Sequence, residues 1–192
     1  MNNTTNRGKV IIIVAPSGAG KTTLAKRLLK EHPSIRFSVS ATTRPPREGE
    51  KNGEDYYFLT DEEFKRRIKK GHFLEWETYN GNRYGTLQSE VDKLVESGYF
   101  PLLDIEVKGA LNVQKIYGSD AISIFIEPPS LEVLKNRLLN RGSETDASIK
   151  RRLERAEMEI EYAEDFDYTV TNDDLDTAYA EIQAIIEPFI TD

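Results

Sequence analysis

The stretch VIIIVAPSGAGKTTLAKRLL, Val10 to Leu29, decides the fold. Val10–Val14 is apolar on both alternating faces, the pattern of a strand buried on two sides in a parallel sheet. Lys21–Lys30 repeats as a helix whose inner stripe is Leu24, Leu28 and Leu29. Between them lies a loop that fits G-x-x-x-x-G-K-[ST] except at its first position, which is Ala15. A strand before and a helix after are the context in which such a loop binds phosphate. Backbone N–H groups of Gly18, Ala19 and Gly20 are expected to point into it, and the helix N-terminus adds partial positive charge. The expected contacts run through Ala15, Pro16, Ser17, Gly18, Ala19, Gly20, Lys21, Thr22 and Thr23. Lys21 would reach the outer phosphates of a nucleotide, and the Thr22 hydroxyl would ligate Mg²⁺. An alanine at position 15 requires φ below zero there. A plain glycine-rich turn is the competing reading, and the register of G-x-G-K-T-T at a strand–helix junction argues against it.

Further along, YFPLLDIEV and AISIFIE return to buried-strand character, and DYTVTN reads as a last short strand. LEVLKNRLLNRG, SIKRRLERAEMEIEYAE and DLDTAYAEIQAIIEPF read as helices. Strands alternating with helices imply an α/β fold built on a parallel sheet. The segment from about Phe37 to Gln88 differs: it is rich in Pro, Gly, Arg and aromatics. Its DYYFLT and FLEWETY alternate like strands, and DEEFKRRIKKG is a short helix stopped by Gly71. It is therefore an insertion at one edge of the sheet, with an antiparallel look.

The bulk properties narrow the function. A net charge of −7 disfavours non-specific nucleic-acid binding and requires any phosphate site to be locally basic. The absence of cysteine excludes disulfides, thiol catalysis and thiolate metal sites. The apolar run after MNNTTNRGK is too short for a signal peptide or a membrane span, so no membrane partner and a cytoplasmic location are expected. His32 and His72 are far apart near helix ends and read as capping or surface residues, not a zinc site.

A nucleotide loop alone leaves ATPase, GTPase and kinase open. In SVSATTRPPREGEKNGEDYYF, Arg44 and Arg47 are three apart around two prolines. A polyproline II segment has three residues per turn, so both guanidiniums would project from one side and suit a phosphate monoester. A solvated basic loop would look the same.

Taken together, APSGAGKTT, SVSATTRPPREGEKNGEDYYF, FLEWETYNGNRYGT, LLDIEVKG, LKNRLLNRG, IKRRLERA and TNDDL occur in the order found in guanylate kinases, and the chain resembles that family from about Lys9 to Phe189. The resemblance implies Mg²⁺-dependent transfer of the ATP γ-phosphoryl group to GMP, with dGMP as a further acceptor. It implies a P-loop parallel sheet flanked by helices, with a core at 1–35, 93–129 and 166–192, a mixed α+β GMP-binding insertion at about 36–92, and a helical lid at about 130–165. It implies that Ser40, Arg44, Arg47, Tyr56 and Tyr84 hold the GMP phosphate, and that Glu75 and Thr86 read the guanine. Asp104 and Glu106 would lie near GMP and the metal's water shell. Arg137 and Arg141 would come from the lid over ATP, Arg152 would reach both sets of phosphates, and Asn172 would lie near the adenine. Where relatives commonly carry glutamate, aspartate and glutamine, this chain carries Asp104, Glu106 and Lys108.

The residues bear on these roles by themselves. A carboxylate only accepts hydrogen bonds. Guanine offers two donors on one edge, where adenine presents an acceptor, so a glutamate suits guanine. On alternation alone, however, Glu75 reads as a solvated strand glutamate, Trp76 as a core residue, and Tyr56 and Tyr84 as packing. In the helix after Gly142 the apolar stripe is Ile149, Leu153, Ala156, Ile160 and Ala163; Arg152 borders it, while Arg151 and Arg155 face away. Two other classes remain: a guanylate-kinase-like binding module without activity, and a P-loop kinase with another acceptor. The presence of Lys21, Thr22, Arg44, Arg47, Arg137 and Arg152 argues against the first, and Glu75 with Thr86 against the second.

Overall fold

The structure is a computed structural model and describes residues 7–140 and 145–191. Five parallel strands form the main sheet in the order β2-β7-β1-β8-β9. They are β1 (Val10–Val14), β2 (Ile35–Phe37), β7 (Phe100–Asp104), β8 (Ala121–Glu127) and β9 (Tyr168–Thr171). Val10–Val14 lies at the centre, paired to β7 and β8, and all five of its residues are buried.

Its period of two divides it between two cores. Ile11 and Ile13 pack with Leu24, Ala25 and Leu28 of α1 (Lys21–Glu31) and with Ala178, Tyr179, Ile182 and Ile186 of α7 (Leu175–Thr191). Val10, Ile12 and Val14 pack on the other face, with Val91 and Val95 of α3 (Gln88–Glu96) and Val107, Ala110 and Val113 of α4 (Val107–Tyr117). Helices on both faces are what a parallel sheet requires.

The insertion leaves from the edge strand β2, and the chain returns to the main sheet through α3 into β7. It forms a second sheet in the order β4-β3-β6-β5, from β3 (Ala41–Thr42), β4 (Tyr57–Phe58), β5 (Phe73–Tyr79) and β6 (Asn82–Leu87). This sheet is mixed rather than antiparallel: β3 and β4 run parallel, and the other pairs antiparallel. DYYFLT contributes only a two-residue strand, because Asn52 and Asp55 turn the chain just before it. The β5–β6 connection is Asn80-Gly81, with φ of 47° and 78°. Positive φ at both central residues is the type I′ hairpin that Asn-Gly favours. Helix α2 (Asp61–Lys69), capped by the Thr60 hydroxyl, seats Phe64 on Phe73 with ring centroids 4.4 Å apart.

Two expectations fail here. The strand YFPLLDIEV ends at Asp104, and Val107 already begins α4, whose apolar residues at 107, 110 and 113 follow helical spacing. Trp76 is not core: it is 46% exposed, on the strand that forms the edge of this sheet. The segment expected to be a lid carries α5 (Leu131–Leu139) and α6 (Asp146–Ile160), which share Leu134, Leu138 and Ala156. Both helices are capped by side chains, Ser130 accepting from Val133 N–H and Thr145 from Ser148 N–H. No helix among the described residues is long and apolar enough to cross a membrane.

Ile12 has no exposure and touches the α3–α4 core. Ile12→Ala should lower unfolding free energy by about 2–5 kcal/mol, read as a fall in the urea midpoint with unchanged slope. A loss under about 1 kcal/mol would contradict the placement of Ile12 in a close-packed core.

Candidate functional site

The C-terminal ends of the parallel strands carry the site, as expected for open α/β sheets. Gly20 precedes α1 with φ of 98°, and Gly18 has φ of 99°. Both conformations favour glycine. Both glycines are also tightly approached. A Cβ on Gly18 would lie 3.0 Å from Leu134 and 3.1 Å from Leu138 of α5, and one on Gly20 would overlap the Asn172 side-chain amide. Ala15 is not among the residues with positive φ, so its backbone meets the condition set by the missing glycine. The Ala19 N–H does not point into the loop; it donates to the Pro16 carbonyl at 3.0 Å, and the Ala19 side chain is buried.

β7 runs beside β1 with Asp104 in register with Ile13. That places the Asp104 carboxylate 2.5 Å from Lys21 Nζ, at the mouth of the loop. A cleft of about 440 Å³ opens from there. One end is Ala15, Pro16, Ser17, Gly18, Gly20, Lys21, Thr22 and Thr23; the other is Ser40, Tyr56, Glu75 and Tyr84; Asp104, Glu106 and Arg152 lie between. Arg152 donates to the Ser17 hydroxyl at 3.2 Å.

Glu75 is held before any ligand arrives. Its Oε1 accepts from the Thr86 N–H at 2.9 Å and from the Thr86 hydroxyl at 2.6 Å. Thr86 lies buried beneath it rather than on the cleft surface. Helix α4 presses close, so a Cβ on Gly109 would sit 2.9 Å from Glu75 Cγ. Burial pushes the Glu75 carboxyl above the usual range, against the pull of the two Thr86 bonds. Burial likewise raises Glu77, helped by the charge of Glu106, and raises the Tyr56 hydroxyl.

Several expected residues are not among those lining the cleft. Arg44 is ion-paired to Glu50 at 2.8 Å, and Arg47 is exposed. Arg137 donates to the carbonyls of Asn172 (2.9 Å) and Asp173 (3.1 Å). Asn172 is buried under the loop, where its amide donates to the Ala19 carbonyl at 2.7 Å. Its role in the structure is to brace the loop. Arg141 lies outside the described residues.

The cleft also contains Glu77, Tyr79 and Glu159, to which the sequence reading gave no role, and Arg155, which it turned away from the site. Glu77 and Tyr79 follow Glu75 at intervals of two on β5 and so share its face, a legible signal. Arg155 does not face away. It pairs with Glu159 at 2.7 Å and with Glu106 across the cleft, because the flank of α6 bearing Arg152 and Arg155 leans over the opening. Burial lowers the Arg155 pKa, but its bond to Glu159 and the charge of Glu106 raise it by more. Of the two histidines, His72 is exposed and His32 ends α1, where its Nε2 is buried with no hydrogen-bond partner among the described residues.

The family model described as guanylate kinase matches residues 7–188. The chain belongs to the guanylate kinase family. Guanylate kinases of Chlorobium chlorochromatii (strain CaD3) and Salinibacter ruber (strain DSM 13855 / M31) are 49% and 50% identical over 183 residues, spanning 95% of this chain and 96% and 97% of their own lengths. A crystal structure of guanylate kinase from Anaplasma phagocytophilum matches with a TM-score of 0.74 and 32% identity, covering 98% of this chain and 89% of that one. The SH3-kinase fragment of tight junction protein 3, 17% identical with a TM-score of 0.53, shares the fold alone. The activity that goes with guanylate kinase membership at this coverage is ATP:GMP phosphotransfer.

Gly20 and Gly49 both have positive φ, but among the described residues a Cβ on Gly49 would meet nothing within 4 Å. Gly49→Ala should cost about 1–2 kcal/mol from backbone conformation alone. Gly20→Ala should cost more, because it also displaces Asn172 from the loop. Equal losses in urea unfolding would show that the loop does not rest on Asn172.

Proposed function

We propose that ATP lies along the loop at Ala15–Thr23 with its γ-phosphate toward Lys21, and that GMP lies at the other end with its base on Glu75. The observation that carries this reading is the Glu75–Thr86 pair. It is a carboxylate fixed by two hydrogen bonds in the wall of the same cleft that the phosphate loop opens. In this arrangement a GMP phosphate oxygen attacks the γ-phosphorus, and the bond to the bridging oxygen of ADP breaks. Such transfer calls for positioning and charge neutralisation rather than a covalent enzyme intermediate.

Lys21, Arg152 and the loop amides neutralise the transferring group. Arg44, Arg47, Tyr56, Tyr84 and Ser40 grip the acceptor phosphate. Arg137, and Arg141 outside the described residues, serve the donor side from the lid. Among the described residues, no group of three or more His, Asp or Glu side chains is arranged to hold a metal ion. The Thr22 hydroxyl in the first turn of α1, with Asp104 opposite Lys21, suits Mg²⁺, which takes few protein ligands alongside substrate phosphates and water. When bound, it would offset charge on the phosphates. Asp104 stands at the loop, and Glu106 is paired to Arg155, which favours Asp104 as the carboxylate nearer the metal's water shell.

The grip on the acceptor and the lid arginines belong to separate segments, about 36–92 and 130–165. We propose that they close over the loop when both nucleotides bind, excluding water. dGMP shares the recognised base and phosphate, so it should also be an acceptor. Measuring ADP formation with GMP, dGMP, AMP and UMP tests the assignment: turnover should follow the guanine base.

Glu75→Gln exchanges one acceptor for a donor. kcat/KM for GMP should fall steeply while that for AMP falls little or rises, since sites built on substrate hydrogen bonds reject analogues by about 10⁴–10⁵. The charged Glu75 is the accepting form and its pKa is raised. In the wild type, kcat/KM for GMP should therefore fall on acidification with an apparent pKa above the ordinary glutamate range, and Glu75→Gln should remove that limb. An unchanged GMP-to-AMP ratio would mean that Glu75 is not the base reader.

A further inference from the structure

Glu50, in the loop joining β3 to β4, has no role in the reading above, yet it joins both acceptor-side arginines. Its carboxylate accepts from Arg44 Nη1 at 2.9 Å and Arg44 Nη2 at 2.8 Å, and its Oε2 also accepts the Arg47 backbone N–H at 2.7 Å. The Glu50 N–H returns to the Arg47 carbonyl at 3.1 Å, closing a tight turn around the carboxylate. The pair is well covered, with side-chain exposures of 14% for Arg44 and 19% for Glu50. The Arg44 bond and the Arg47 N–H hold the Glu50 carboxyl below the usual carboxylate range.

The donor inventory of Arg44 is informative. A guanidinium has five N–H groups in a fixed plane. Two go to Glu50 and a third, on Nη1, goes to the Pro45 carbonyl at 2.8 Å. The remaining two, Nε–H and the second hydrogen of Nη2, lie side by side on one edge. That edge is a two-donor fork of the kind that binds phosphate. Arg44 lies 5.4 Å from the Tyr56 ring centre and next to the Tyr84 hydroxyl, and both tyrosines line the cleft.

We propose that Glu50 is a positioning residue for the acceptor phosphate: by occupying the far edge of Arg44 and the N–H of Arg47, it presents the Nε–Nη2 fork of Arg44 to the phosphate of GMP. This rests on the reading that Arg44 grips that phosphate. It makes a prediction of unusual sign. On charge alone, removing a carboxylate beside a phosphate dianion should tighten binding. If Glu50 aims Arg44, removing its charge should weaken binding, because an amide can hold only one of the two Arg44 N–H groups and turns its own N–H against the other.

The test is binding of GMP and of guanosine to the full chain in wild type, E50Q, E50D, R44M and the R44M/E50Q double variant, with thermal unfolding as a fold control. GMP affinity should drop on the order of tenfold in E50Q, as expected for losing a hydrogen bond to a charged group. E50D should fall between E50Q and wild type. Guanosine, which lacks the phosphate, should bind all variants equally. The double variant should be no weaker than R44M, since Glu50 acts through Arg44. Unchanged or tighter GMP binding in E50Q would overturn the proposal, as would a parallel loss of guanosine binding. If R44M itself left GMP binding intact, the assignment of Arg44 to the phosphate would fall, and the proposal with it.

Discussion

The site depends on the contact between Lys21 and Asp104. Two neighbouring parallel strands, β1 and β7, end together at the same edge of the sheet. One delivers the phosphate loop and the first turn of α1, the other an aspartate. The 2.5 Å ion pair between them gives the loop lysine a counter-charge within the loop's reach. On the proposed reading, an arriving polyphosphate would offer Lys21 a stronger partner and leave Asp104 facing the cation that accompanies the nucleotide. The register of a buried strand thereby sets the position of that ion pair.

The second end of the cleft is fastened to the same frame. Helix α4, which packs Val107, Ala110 and Val113 under β1, also touches β5: the Asn112 amide donates to the Leu74 carbonyl at 2.6 Å, and Gly109 lets Glu75 lie against the helix. The Glu75 carboxylate is thus tied to the core, while Arg44, Arg47 and Glu50 lie on a loop further out. Closure over the nucleotides would then move the outer loop and the α5–α6 pair more than it moves Glu75.

What was legible in the sequence was local. The loop at Ala15–Thr23 follows from spacing, as do its strand and helix, and the φ required of Ala15 follows from sterics. The Asn80-Gly81 turn carried an equally local signal that went unread, and the helical spacing of α4 one that the strand reading overrode. The rest was tertiary. Trp76 looked like core because alternation gives a residue a face without saying whether anything covers it, and β5 turns out to be an edge. Arg155 looked solvated because the stripe on α6 does not say how the helix leans over α4. Glu50 gave no signal, since its meaning comes from which N–H groups of Arg44 remain for the cleft.

The central claim is that both nucleotides occupy one continuous cleft, phosphate to phosphate. The most direct measurement is the affinity of a bisubstrate ligand, adenosine and guanosine joined by a chain of phosphates, compared with an ATP analogue and GMP separately. Joining two ligands that bind end to end raises avidity by about 10²–10⁴ when the linker spans the sites. The account predicts a gain of that order, competition with both nucleotides, and loss of the gain in Glu75→Gln. A bisubstrate that binds no more tightly than the ATP analogue, or that GMP fails to displace, would contradict it.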